Sequence, residues 1–194
     1  MTIAERVPAA LTTHPAVKAV ELAGSRAEGR ATDVSDWDFL VATDRFEDLV
    51  ADLPGLVAEL DPLAQQWDRL SPSWCYMLIL RGPVKVDLIF PDEPHLDEPP
   101  WRPDRENLAA LDAHFWDWML WLSSKEASGK DELVAGELEK LFGHLLGPLG
   151  ATARPSTIGE AVDAYREARE QLEVKVGVTV PREVEKEVAP ALTR

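Results

Sequence analysis

Five prolines fall within thirteen residues, from Pro91 through Pro94, Pro99 and Pro100 to Pro103. Proline fixes φ and has no N–H to donate, so regular structure is not expected to run through such a stretch. The chain should therefore organise on either side of it, and the two sides read differently. Before it lie short β-type runs, Val17 to Leu22, Trp37 to Ala42, Trp74 to Leu80 and Val84 to Phe90, with a helical pattern from Phe46 to Leu60. The Arg81-Gly82-Pro83 link is short and turn-rich, which predicts an antiparallel hairpin of the last two runs. After the prolines, Leu108, Leu111, Phe115, Trp118 and Leu122 recur at helical spacing behind Asp104 as a cap. Trp116, Met119, Leu120 and Trp121 widen that stripe, so this helix should be central, with its tryptophans in the core. Further helices are expected from about Asp131 to Leu146, stopping at Gly147-Pro148, from about Thr157 to Val174, and after Pro181. The fold class is thus α+β, a mixed β-sheet with flanking helices followed by a helical bundle. The expected division of the 194 residues is 1–92, a Pro-rich linker 93–103, and 104–194.

Charge narrows the function classes. The 35 acidic residues against 20 Lys and Arg give −15. A surface of that sign repels phosphate backbones and anionic bilayers, which disfavours nucleic acid and favours cationic or metal-bridged partners. No stretch reaches the roughly 18 apolar residues of a membrane span, and no basic segment followed by an apolar run opens the chain. A cytoplasmic protein with no membrane partner is expected. The single Cys75 excludes an intrachain disulfide and a cysteine zinc cluster, and its apolar surroundings predict a core position.

The segment with chemistry follows the first β-type run and leads into the second. Gly24-Ser25 opens a short helical stretch whose N–H groups suit an anion, and the absence of a Cβ at Gly24 permits close approach. After ten intervening residues comes Asp36-Trp37-Asp38. Alternate residues of a strand share a face, so Asp36 and Asp38 project together while Trp37, Phe39 and Val41 point into the core. Two like charges this close call for a hard cation such as Mg²⁺. In Val84 to Phe90, Lys85 and Asp87 share one face of an apolar strand, which makes Asp87 a candidate third ligand or a base. Lys85 would neutralise phosphate or pair with an acid, and Arg26 and Arg30 flank the anion site. Other phosphate motifs are missing: there is no Gly-Lys-Ser/Thr loop end and no Gly-x-Gly-x-x-Gly.

This order of Gly-Ser, Asp-x-Asp and a later strand Asp resembles the nucleotidyltransferase superfamily of DNA polymerase beta, over roughly residues 17 to 90. Within it, the chain is similar to small bacterial aminoglycoside and lincosamide adenylyltransferases and to minimal nucleotidyltransferases of toxin–antitoxin pairs. The resemblance implies a catalytic unit in residues 1–92 and an acceptor-binding role for the helices of 104–194. It implies that Gly24 and Ser25 hold a nucleoside triphosphate, ATP by default, with Arg26, Arg30 and Lys85 near it. Asp36, Asp38 and Asp87 would bind two Mg²⁺ ions, and Asp87 would activate the acceptor hydroxyl. The implied reaction moves AMP from ATP to a hydroxyl of a small cationic acceptor, aminoglycoside-like compounds first. The alternatives are a toxin–antitoxin-type transferase acting on a protein or RNA, and a catalytically silent nucleotide-binding relative. The Trp-rich helices leave room for a homodimer.

Overall fold

The alternation of apolar and polar residues in the first half resolves into a five-stranded mixed sheet. The computed structural model describes residues 1–32 and 35–192. Its first elements are α1 (Ile3–Leu11), β1 (Val17–Leu22), α2 (Gly24–Ala27), β2 (Trp37–Thr43) and α3 (Phe46–Leu56), followed by β3 (Pro62–Trp67), β4 (Ser73–Leu80) and β5 (Val84–Pro94). Strand order is β1-β2-β5-β4-β3, antiparallel throughout except for the β2–β5 pair, which is parallel. The β4–β5 hairpin turns at Arg81-Gly82-Pro83 as expected, with Leu80 opposite Val84. One face of the sheet buries Phe39, Val41, Leu78, Leu88 and Phe90 against Val7 and Leu11 of α1 and Leu49 and Leu53 of α3. Each such side chain contributes about 1.5 to 3 kcal/mol by leaving water.

β5 runs on through Pro91 to Pro94, where the prolines were expected to forbid regular structure. They are tolerated because the pairing with β2 ends at Ile89, so beyond it one side of β5 has no ladder to satisfy. On the other side, the register with β4 slips between Ser73 and Trp74, and Ser73 lies opposite Pro94. Two elements had no counterpart in the sequence reading. α1 is capped by Thr2 and Glu5, each bonding the other's backbone, despite Pro8 inside it. β3 is an edge strand that begins at a proline, Pro62, a position where the missing N–H is harmless.

The chain divides into two units, Met1–Glu98 and Pro99–Arg194. The second is helical: α4 (Leu108–Ala127), α5 (Asp131–Leu141), α6 (Gly147–Leu149), α7 (Ile158–Val176) and α8 (Glu183–Val188). α4 buries Leu108, Leu111, His114, Phe115, Trp116, Trp118, Met119 and Leu122, so most of its circumference is covered. Asp104 accepts from the N–H groups of Glu106 and Asn107 at 2.8 and 2.9 Å, capping a turn that leads into α4 rather than the helix itself. Helical backbone does not stop at Gly147-Pro148. α5 passes through a π-turn, Phe142–Leu146, into α6, and ends at Gly150 with φ 114°. The wider π-turn changes the bonding register ahead of Pro148, so the lost donor does not break the rod. α7 is capped by the Thr157 hydroxyl, which accepts from Glu160 N–H at 3.1 Å.

A buried polar cluster joins three of these helices. Asp112 of α4 accepts from the Tyr165 hydroxyl at 2.6 Å and from Arg169 at 2.8 Å, both on α7. Arg169 also donates to Glu185 of α8 at 2.5 Å. Burial pushes the Asp112 carboxyl above its ordinary range, against the pull of the Tyr165 and Arg169 bonds. Among the described residues, no helix is long and apolar enough to cross a membrane.

Candidate metal centre

Parallel pairing sets Asp38 of β2 directly opposite Asp87 of β5. Asp36 lies two residues before Asp38 and shares its face, while Phe39 and Val41 are buried on the other. The three side chains converge: one carboxylate oxygen from each of Asp36, Asp38 and Asp87 lies within 4.8 Å of the others. Asp36 and Asp87 are nearly shut off from water, at 7% and 9% exposure. Burial raises the Asp87 pKa, Lys85 pulls it back, and the charge of Asp36 pushes it up again. The Lys85 ammonium donates to Asp87 Oδ1 at 2.5 Å, so the lysine that sequence placed on this face pairs with the acid.

Gly24 completes one wall. Its φ is +63°, a left-handed conformation that L side chains rarely adopt. A Cβ built on it would lie 2.1 Å from Asp38 Oδ2. Both the backbone and the space therefore call for glycine. The Ala23 N–H donates to the Asp38 carbonyl at 2.8 Å, which fixes the start of α2 against β2. Ser25 is partly covered, and its carbonyl receives the Arg30 N–H at 2.8 Å, closing the turn after α2.

The two arginines are placed differently. Arg30 is exposed and pairs with Glu28. Arg26, read from the sequence as a triphosphate contact, directs its guanidinium at the following loop. Its Nε donates to the Asp36 carbonyl at 3.0 Å and its Nη2 to the Ser35 carbonyl at 2.5 Å, with the guanidinium carbon 4.0 Å from the Trp37 ring centroid. This clamp had no signal in the sequence beyond an arginine and a tryptophan eleven positions apart. Trp116 and Trp118 are buried in the helical unit, as core residues rather than a stacking platform.

The donor set fits a hard divalent cation. Three carboxylates supply only oxygen ligands, and a divalent cation beside them would offset their mutual repulsion further than the Lys85 ammonium on Asp87 does.

No family model matches the sequence, and no curated protein does. Among solved structures, the chain is similar to an aminoglycoside 6-adenyltransferase from Bacillus subtilis, with 10% identity over 99% of this chain and 98% of that one and a TM-score of 0.34. A likeness at that level leaves the chemistry of the site to its own geometry.

Proposed function

We propose that this protein transfers a nucleoside monophosphate, AMP from ATP by default, to a hydroxyl group of a small acceptor. The observation that carries the reading is the convergence of Asp36, Asp38 and Asp87 on one face of the parallel β2–β5 pair, with the Cα of Gly24 against them. In the reaction, the acceptor oxygen forms a bond to the α-phosphorus, the bond from that phosphorus to the β-bridging oxygen breaks, and pyrophosphate leaves. Asp36, Asp38 and Asp87 would hold Mg²⁺, two ions in the two-metal form of this chemistry, and the bound metal supplies charge neutralisation of the attacking and leaving oxygens.

The protein's own residues have separate tasks. Asp87 takes the proton of the acceptor hydroxyl, and Lys85 at 2.5 Å favours the ionised carboxylate this requires. Gly24 lets the triphosphate approach where any side chain would collide with Asp38, and Ser25 offers its hydroxyl beside it. Arg30 is an exposed cation that swings from Glu28 toward the triphosphate. The net charge of −15 favours a cationic acceptor, so polyamine-like and aminoglycoside-like compounds are the first to test, with the helical unit as the acceptor-binding part.

The test is transfer of label from [α-³²P]ATP, with Mg²⁺, to a panel of hydroxylated cationic compounds, run beside the other nucleoside triphosphates. Labelled acceptor that disappears with Asp38→Asn supports the reading. No transfer from any triphosphate to any acceptor overturns it.

A further inference from the structure

The carboxylate at position 36 lies outside the regular sheet. The ladder between β2 and β5 begins at Trp37 opposite Val86, so strand pairing alone does not fix the main chain that carries Asp36. Asp36 must nevertheless meet Asp38 and Asp87 to within 4.8 Å against their mutual repulsion. Something other than the ladder has to hold it there.

We infer that Arg26 is a positioning residue for this site: its guanidinium pins the Ser35–Asp36 main chain and the Trp37 ring, and thereby sets where Asp36 and Asp38 present their oxygens. The inference rests on the proposed reading of the three carboxylates as a cation site. Arg26 reaches two successive carbonyls, Ser35 at 2.5 Å and Asp36 at 3.0 Å, through two different nitrogens of one rigid fork. The flat face of the same group lies 4.0 Å from the Trp37 ring centroid. A lysine has the charge but neither the fork nor the face. Trp37 in turn stacks on Phe39, with centroids 6.5 Å apart and planes 9° apart, and Phe39 is fully buried in the sheet core. The contact chain Arg26–Trp37–Phe39 thus ties the entry to β2 to the buried core of the unit. Just before α2, the Ala23 N–H holds the same strand at the Asp38 carbonyl, and Gly24 leaves room for the Asp38 carboxylate.

The inference makes a prediction whose sign opposes simple electrostatics. A guanidinium close to a divalent site repels the ion, so if charge were its whole effect, removing it would tighten cation binding. A positioning role predicts the reverse, because partners that orient a metal's ligands are typically worth about 10 to 100-fold in affinity.

Mn²⁺ binding to the full-length protein, in the absence of nucleotide, decides between them by calorimetry or electron spin resonance. Arg26→Gln and Arg26→Lys are each expected to weaken Mn²⁺ binding about 10 to 100-fold. Trp37→Leu reaches the clamp from its other side and should weaken binding in the same way, whereas Trp37→Phe keeps a ring and most of the affinity. Circular dichroism and the melting midpoint establish that each variant is folded, and Trp37→Leu decides the matter if the Arg26 variants are not. The double variant Arg26→Gln/Trp37→Leu should cost little more than either single change, since both remove one device. Arg26→Gln, or Trp37→Leu in its place, binding Mn²⁺ as well as or better than the parent overturns the inference and leaves the site reading intact. A parent protein that takes up no Mn²⁺ overturns both.

Discussion

The Cα of Gly24 lies against the carboxylate of Asp38 so closely that a methyl group there would be 2.1 Å from Oδ2. Gly24→Ala therefore has two effects. The left-handed φ costs about 1 to 2 kcal/mol with a Cβ present, and the Asp38 side chain must swing away from Asp36 and Asp87. The variant should fold with a modestly lowered melting midpoint while divalent-cation affinity and transfer activity collapse. Parallel melting and Mn²⁺ titrations check this, and unchanged affinity would count against the site.

Asp38→Asn removes one of three clustered negative charges without changing shape. Transfer should fall by more than about 100-fold, since even partners that merely orient ligands are worth about 10 to 100-fold. The fold should hold without metal, since the isosteric amide keeps the place of the side chain on β2. Initial rates and a thermal melt in chelator measure the two halves of the prediction.

Lys85 and Asp87 form a buried pair, with side chains 8% and 12% exposed. Lys85→Met leaves Asp87 without that cation and should destabilise the protein by about 3 to 5 kcal/mol, as breaking a buried ion pair typically does. Replacing both, with Lys85→Met and Asp87→Leu, should recover most of the loss while remaining inactive. Urea denaturation of the three proteins reads this directly.

Acid should loosen the helical unit partly through Glu173. The bonds from Arg182, at 2.6 and 2.7 Å, hold its carboxyl below the ordinary glutamate value of 4.5, aided by the Val180 N–H and opposed by burial. A lowered folded value means stability that is complete above pH 4.5 and lost as pH falls through the folded value. Arg182→Met should lose about 1.5 to 3 kcal/mol above that pH and show a flatter acid limb. The Arg182 guanidinium also lies 3.8 Å from Glu185, so Glu173→Gln, which keeps that contact, should flatten the acid limb in the same way.

Much of the site was legible because it obeys period two. Asp36 and Asp38 flank Trp37, and Lys85 and Asp87 stand in an apolar run, so alternation assigned all four to their faces before any pairing was known. The parallel partnership that joins the two segments was not legible, because nothing in either run names its neighbour. The clamp of Arg26 was hidden for a related reason: its position beside Gly24-Ser25 suggests phosphate, and nothing in the sequence shows that its fork closes on carbonyls nine and ten residues ahead. α1 was hidden by Pro8, and β3 by its polar Gln65-Gln66 and leading proline, which an edge strand accepts. The expected stop at Gly147-Pro148 failed because a π-turn, a backbone device without a residue signature, carries the helix past it.

The in-register placement of Asp38 and Asp87 on adjacent parallel strands has a kinetic side. These two residues are about fifty positions apart in the chain, and parallel strands meet only after a long crossover has closed. The cluster therefore comes into being only with the docking of β5 on β2. A divalent ion captured there would fasten the two strands across that long loop, stabilising the native state by mass action. Its uptake would then report, in real time, the docking of β5 on β2.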